Sequence, residues 1–307
     1  MKSVMLFVFI VCSIGVFAQS PTDSIFKVGR KMITLSEVVV DNKLNVPSFI
    51  NRIKNDTSFY KAFRNLHILQ FTALNDIRMN DKNGKLKASL RSKTMQIRKH
   101  GCRTMQTIEE TATGDMYDEN KQLNYYTANM YASLFFTKDS VCNEDNIVKG
   151  REFSTSGKSG LEKHKEQLRM LFFNPGKKIN GLPFMSSKTA IFEDDLAEYY
   201  DMNIDMDFFN NTSCYIFKQK VKQGKEGKVV VDEMTTWFND STYEVVGRNY
   251  SLSYDAGVYD FKVNMEVLMT RFNGLTVPAL IRYNGNWKVI TKKRERGVFT
   301  ATLSDFH

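Results

Sequence analysis

The chain has 307 residues, of which 43 are Lys or Arg and 34 are Asp or Glu, giving a formal net charge of +9. This length suffices for one large domain or two small ones. The positive charge favours anionic partners such as acidic lipid headgroups or polyanionic glycolipid, although it also serves solubility alone. No nucleic-acid recognition motif accompanies the charge, so we expect no nucleic-acid partner.

The first 18 residues have the pattern of a secretory signal peptide. Lys2 precedes an apolar run over residues 4–16, and Ala18 stands at a position that suits signal-peptidase cleavage. Cys12 follows Val11 rather than a small residue, so we do not expect it to be lipid-modified. We therefore predict export to the periplasm or to an envelope-associated location, with cleavage after about Ala18. No later apolar run has membrane-spanning length, which predicts no transmembrane segment in the mature chain.

Three cysteines follow the signal peptide, namely Cys102, Cys142 and Cys214. An odd number cannot form a complete disulfide framework, but one pair can bridge in an oxidising periplasm. The sequence does not tell which pair does so. Cys214 stands in an apolar run and is most simply a small buried side chain.

The segment after the signal peptide is predicted to be an N-terminal extension over residues 19–45 with a short strand. Its β-branched run over residues 33–40 is similar to segments that join small carboxypeptidase-regulatory-like domains to outer-membrane receptors, and it is also simply a first strand. Residues 46–307 are predicted to form a single domain.

Three stretches have helical spacing. Pro47 suits a first helical turn and Asp56 offers a second start, so residues 47–65 are predicted to form one broken amphipathic helix. Dense aromatic and apolar residues predict a helix over 123–136. The clearest amphipathic helix covers 161–173.

Strands are predicted on both sides of these helices. Asn83-Gly84 predicts a hairpin of strands 67–80 and 84–98, followed by a strand over 103–112. The C-terminal strands are predicted over 201–207, 214–221, 229–238, 243–254, 257–272, 275–283 and 287–303. The last five form a meander with turns at Asn239-Asp240, Asn273-Gly274 and Asn284-Gly285.

The centre of the meander alternates strictly between apolar and polar residues. The apolar positions are Tyr259, Phe261, Val263, Met265 and Val267. This period of two is typical of an antiparallel strand with one face buried.

The order of these elements resembles the periplasmic lipoprotein-carrier (LolA-like) fold. In that family a tryptophan-bearing strand precedes a turn and a later strand begins near a proline, which Trp237, Asn239-Asp240 and Pro278 match here. The resemblance covers about two thirds of the mature chain and is one of pattern. It implies an α+β fold in which a curved antiparallel sheet, a half-barrel, is covered by about three helices. The longer chain and its added N-terminal helix depart from the carriers and indicate a divergent envelope family.

Motifs for enzymatic or metal chemistry fail at defined positions. Gly157-Lys158-Ser159 lacks the upstream glycine of a phosphate-binding loop, because position 152 is Glu152. Asp201, Asn203 and Asp205 have the spacing of a calcium-binding loop but lack its glycine and its closing glutamate. They are more simply an acidic strand face. We expect this face to pair with basic residues of the last strand, namely Lys292, Lys293, Arg294 and Arg296. The four histidines show no paired zinc-ligand spacing. We therefore expect no enzyme, no metal and no cofactor.

The predicted function is non-enzymatic binding of a lipid or lipoprotein acyl chain in an apolar groove under the helices. An acyl chain needs no elaborate polar site, because each buried methylene contributes ~0.8 kcal/mol. The first alternative is a structural or interaction protein with a filled core, and the second is a hydrolase with no recognisable motif. The candidate groove residues are Tyr250, Leu252, Tyr259, Phe261, Val263, Met265, Val267, Met269 and Trp237.

Overall fold

The computed structural model describes residues 23–148, 170–179, 185, 187–255, 257, 259–289 and 293–307, with the side chains of 259 and 289 left out. Its strands form one 13-stranded sheet in which all neighbouring strands but one pair are antiparallel. The predicted α+β class, an antiparallel half-barrel with a few helices, is confirmed.

The N-terminal elements are β1 (Ser24–Val28), β2 (Lys31–Leu35), α1 (Glu37–Asp41), α2 (Val46–Asn55) and α3 (Ser58–Asn65), followed by a 3-10 turn at Leu66–Ile68. The predicted break near Asp56 is confirmed. Asn45 starts α2 by accepting a hydrogen bond from the backbone of Ser48, with Pro47 in the first turn. The β-branched run over 33–40 is not one strand, because β2 ends at Leu35 and α1 begins at Glu37.

The middle elements are β3 (Phe71–Asn80), β4 (Leu86–Lys99), β5 (Cys102–Gly114), α4 (Tyr126–Phe135) and β6 (Val141–Cys142). The hairpin predicted at Asn83-Gly84 and the helix predicted over 123–136 are confirmed. Most of the helix predicted over 161–173 lies outside the described residues. The part of this stretch that is described, residues 170–173, is helical. Gly157-Lys158-Ser159 lies outside them too.

The C-terminal elements are α5 (Asp194–Ala197), β7 (Tyr200–Phe209), β8 (Thr212–Val221), β9 (Val231–Asn239), β10 (Val245–Asp255), β11 (Tyr259–Phe272), β12 (Leu275–Val289) and β13 (Glu295–Ser304), with a 3-10 turn at Glu226–Lys228. Across the sheet the described strands have the order β1-β2-β7-β8-β9-β10-β11-β12-β13-β3-β4-β5-β6, with β2 and β7 parallel. The last five strands thus form the predicted meander. None of the helices in the described ranges is long and apolar enough to cross a bilayer.

One predicted turn is wrong. Asn284-Gly285 does not end a strand, because β12 continues through it to Val289, with Gly285 paired to Val263 on one side and Gly297 on the other. A Cβ atom on Gly285 would lie 2.2 Å from the Tyr283 hydroxyl. The glycine therefore makes room for the Tyr283 ring, whose hydroxyl accepts a hydrogen bond from the Trp287 indole. A glycine stands at position 285 because of this packing, and not because the chain turns there.

The inner face of the sheet and the helices enclose the core. α3 packs on β12, α4 packs on β13, and α1 packs on β7. Tyr131 of α4 stacks on Phe299 of β13 with ring centroids 4.9 Å apart. Much of the core is thus aromatic contact between the covering helices and the inner sheet face.

Candidate ligand cavity and its polar cover

Six of the nine predicted groove residues lie together and buried on the inner face. Cross-strand register joins Tyr250 to Met265 and Leu252 to Val263. The six residues are Tyr250, Leu252, Phe261, Val263, Met265 and Val267, each at most 4% exposed. The alternation read from the sequence therefore identified the buried side of β10 and β11.

These six side chains face other protein groups. The Tyr250 hydroxyl donates a hydrogen bond to the backbone oxygen of Phe172. The Phe261 ring stacks on Trp287 at a centroid distance of 4.6 Å. Contact of this stripe with a ligand stays a prediction, since in this structure the stripe is part of a packed core.

The other three residues are placed differently. Trp237 is half-buried on the outer face, where it stacks on Phe209 at 4.4 Å, while its neighbour Phe238 is buried. Met269 is half-buried beyond a register shift that follows Leu268. The side chain of Tyr259 lies outside the described residues. Trp237 thus does not join the inner stripe, because adjacent residues of a strand point to opposite faces.

A cavity of about 130 Å³ lies between α3, α4 and the inner face of β3, β4 and β13. Its apolar wall is made by Phe63, Phe71, Phe135, Phe136, Phe173 and Leu303. Phe63 and Phe173 stack at 4.2 Å, and Phe135 meets Phe173 edge to face at 5.6 Å. Small Ala73 and Ala301 form part of the floor and leave the space open. The sequence predicted a groove under these helices but not these residues.

The opposite wall of the cavity is polar and internally paired. Gln96, from β4, donates to the backbone oxygens of Leu66 and Leu69, both at 2.7 Å. Its side-chain oxygen accepts from Thr137 at 3.0 Å and from Arg103 at 3.2 Å. This wall can orient the polar end of a ligand while Gln96 and Thr137 keep their hydrogen bonds.

An acid and a histidine complete the polar wall. Glu144 accepts hydrogen bonds from the Arg103 guanidinium, and His67 Nδ1 lies 2.9 Å from Glu144 Oε1. Burial alone would raise the pKa of Glu144, but the hydrogen bonds from His67 and Arg103 outweigh it and lower the pKa to about 2. Burial lowers the pKa of His67 despite the hydrogen bond with Glu144. Near neutral pH Glu144 is therefore charged and His67 is neutral.

Residues 141–148, hereafter the strap, bring Glu144 to the cavity. β6, its first two residues, pairs with the start of β5, and a disulfide joins Cys102 to Cys142. The pairing that the sequence left open is thus settled, and Cys214 is a free, buried thiol. Burial raises the pKa of Cys214 to about 11, so it is a thiol rather than a nucleophilic thiolate at neutral pH.

The other candidate motifs do not converge. Asp201, Asn203 and Asp205 lie on the outer face of β7, and within the described residues no three His, Cys, Asp or Glu side chains form a group that could hold a metal. The predicted pairing of this acidic face with Lys293, Arg294 and Arg296 is wrong, because β7 and β13 are separated by five strands. Lys292 lies outside the described residues. Arg294 instead forms an ion pair with Asp260 at 2.5 Å.

Comparison with known proteins adds two distant structural neighbours. A crystal structure of a DUF1329 family protein from Desulfovibrio piger has 13% identity and a TM-score of 0.25, covering 82% of this chain and 93% of that one. A putative outer membrane lipoprotein-sorting protein domain from Vibrio parahaemolyticus has 9% identity and a TM-score of 0.26, covering 84% and 90%. At these TM-scores neither neighbour carries an argument about the fold or the function of this chain. No protein-family model and no curated protein matches the chain.

Proposed function

We propose that this chain is a non-enzymatic envelope protein that binds a segment of a lipid or lipoprotein acyl chain in the cavity between α3, α4 and the sheet. The observation that carries the proposal is the aromatic cavity of about 130 Å³. An engineered apolar cavity of about 150 Å³ binds benzene, so this one suits a segment of similar size. Six carbons at ~0.8 kcal/mol each would contribute about 5 kcal/mol.

The predicted signal peptide supports an exported location, in the periplasm or at the envelope, where acyl chains are abundant. The packed stripe on β10 and β11 favours a second candidate, a structural or interaction protein with a filled core. The two candidates differ in what the cavity does, so a test should change the volume of the cavity without altering its polar wall.

Ala301→Leu is the informative variant, because Ala301 is 2% exposed and lines the cavity. We expect it to leave stability unchanged or raised, since a cavity is filled, and to abolish lipid binding. Ala88→Leu is the matched control: Ala88 is fully buried in β4 away from the cavity. Overpacking there should cost about 1–3 kcal/mol while lipid binding is kept.

Native mass spectrometry of protein purified from a bacterial envelope measures the bound lipid, and denaturant titration in parallel measures the free energy of unfolding. Lipid retained equally by wild type and Ala301→Leu would contradict the assignment of the cavity. A wild-type protein that carries no lipid and binds neither decanoate nor decanol would favour the filled-core candidate.

A further inference from the structure

The strap is held at the cavity by cationic side chains from other elements. Three consecutive backbone oxygens of the strap, those of residues 144, 145 and 146, accept hydrogen bonds from Arg98, Arg64 and Lys61 respectively, with Arg64 Nη2 at 2.8 Å. These donors come from α3 and β4. The strap therefore owes its position to polar contacts with its surroundings.

The strap also inserts its two acidic side chains among these cations. Arg103 binds the Glu144 carboxylate through two nitrogens, and Arg64 Nη2 lies 3.3 Å from Asp145 Oδ1. Four cationic side chains, Lys61, Arg64, Arg98 and Arg103, thus contact the strap, and two of them, Arg64 and Arg103, bind its carboxylates. Since four cations outnumber two carboxylates, the cluster keeps an excess of positive charge even though burial favours the neutral form of His67.

Little apolar packing holds the strap in place. Val148 at its end is half-buried against the core, but none of its side chains is fully buried and Ile147 is 50% exposed. Segments with few buried apolar contacts open at low free-energy cost compared with a core strand. The disulfide keeps Cys142 attached to β5, so opening of the strap is confined to the residues that follow Cys142.

The cationic groups stand beside the aromatic wall. Arg64, His67, Arg103 and Glu144 line the same cavity as Phe63 and Phe135. If the strap lifts, Arg64 and Arg103 lose their carboxylate partners at the mouth of an apolar space. Unpaired guanidinium groups there would bind an oxyanion, which both carboxylates and phosphates present.

We propose that the strap is a displaceable cover whose Glu144 and Asp145 occupy the site of a ligand's anionic head group, so that the cavity takes an acyl chain ending in a carboxylate or a phosphate. This inference rests on the proposed acyl-chain function and adds the chemistry of the head group. Ligand and strap compete for the same guanidinium groups, and the ligand gains the apolar cavity in addition.

Calorimetric titration at pH 7 with decanoate, decyl phosphate, decanol and inorganic phosphate tests the proposal. We expect both anionic amphiphiles to bind more tightly than decanol, which has the same chain length. Glu144→Gln removes the competing charge and should raise the affinity for decanoate about tenfold, equivalent to ~1.4 kcal/mol. Asp139→Asn, the control, removes an exposed carboxylate five residues earlier and should change nothing.

Arg64→Gln should lower the affinity for decanoate to that for decanol and leave the affinity for decanol unchanged. Looser packing alone would weaken the binding of both ligands. Equal binding of decanoate and decanol by wild type, or no gain in Glu144→Gln, overturns the head-group inference and leaves acyl binding intact. Binding of inorganic phosphate as tight as that of decyl phosphate overturns the acyl part of the ligand. Failure of all amphiphiles, decanol included, instead refutes the proposed function.

Discussion

Removal of the disulfide should destabilise the protein by an amount that its loop length sets. Cys102 and Cys142 are 40 residues apart, and the bond closes β5, α4 and the start of the strap into one loop. In the chain-entropy account, closing a loop of this length restricts the unfolded chain by about 4 kcal/mol at 25 °C. The double variant C102S/C142S should therefore lose about 4 kcal/mol, because it frees the unfolded chain.

Urea unfolding followed by circular dichroism measures this loss. Wild type without reductant, wild type with a dithiol reductant and the double variant form the comparison, and the two disulfide-free proteins should agree. Thermal unfolding of the same three samples should show a fall in Tm of about 8 °C, because in a protein of this size each kcal/mol shifts Tm by about 2 °C. Equal midpoints with and without the bond would refute the reasoning, since the loop would then be restricted in the unfolded state by something else.

Two further predictions concern charge and packing. The pKa of Glu144 falls from an ordinary value of 4.5 to about 2 on folding. The charged Glu144 therefore stabilises the folded protein fully above about pH 5, and this stabilisation is lost as pH falls toward 2. The difference in free energy of unfolding between wild type and Glu144→Gln, measured by urea titration, should shrink across that range. A constant difference would contradict the pairing with Arg103. Phe261→Ala should cost about 3–5 kcal/mol because the ring is buried against Trp287, whereas Trp237→Ala on the outer face should cost about 1–2 kcal/mol; equal losses would mean that the two faces are assigned wrongly.

Some features follow from local pattern, which depends on near neighbours in the chain. The alternation through Phe261 and Met265 identified the buried face of β11, and Pro47 with Asp56 marked the start and break of the first helices. These predictions succeed because side-chain direction in a strand has a fixed period of two and because proline fixes its own φ.

Other features depend on residues far apart in the sequence. Asn284-Gly285 has the local signature of a hairpin, yet the Tyr283 ring and two neighbouring strands keep it inside β12. The inner orientation of Phe238, in place of Trp237, was likewise decided by the register of β9 with its neighbours.

The sequence by itself determined the α+β class, the meander, the covering helices near residues 47–65 and 123–136, and the expectation of an apolar groove. The tertiary structure decided where open space is left, which cysteines are joined, and that Glu144 and Asp145 meet a cluster of arginines. The physical reason is that periodicity reports which side of an element is buried. A cavity and an ion cluster arise only where several elements, brought together from distant parts of the chain, leave a volume unfilled or place their charges side by side.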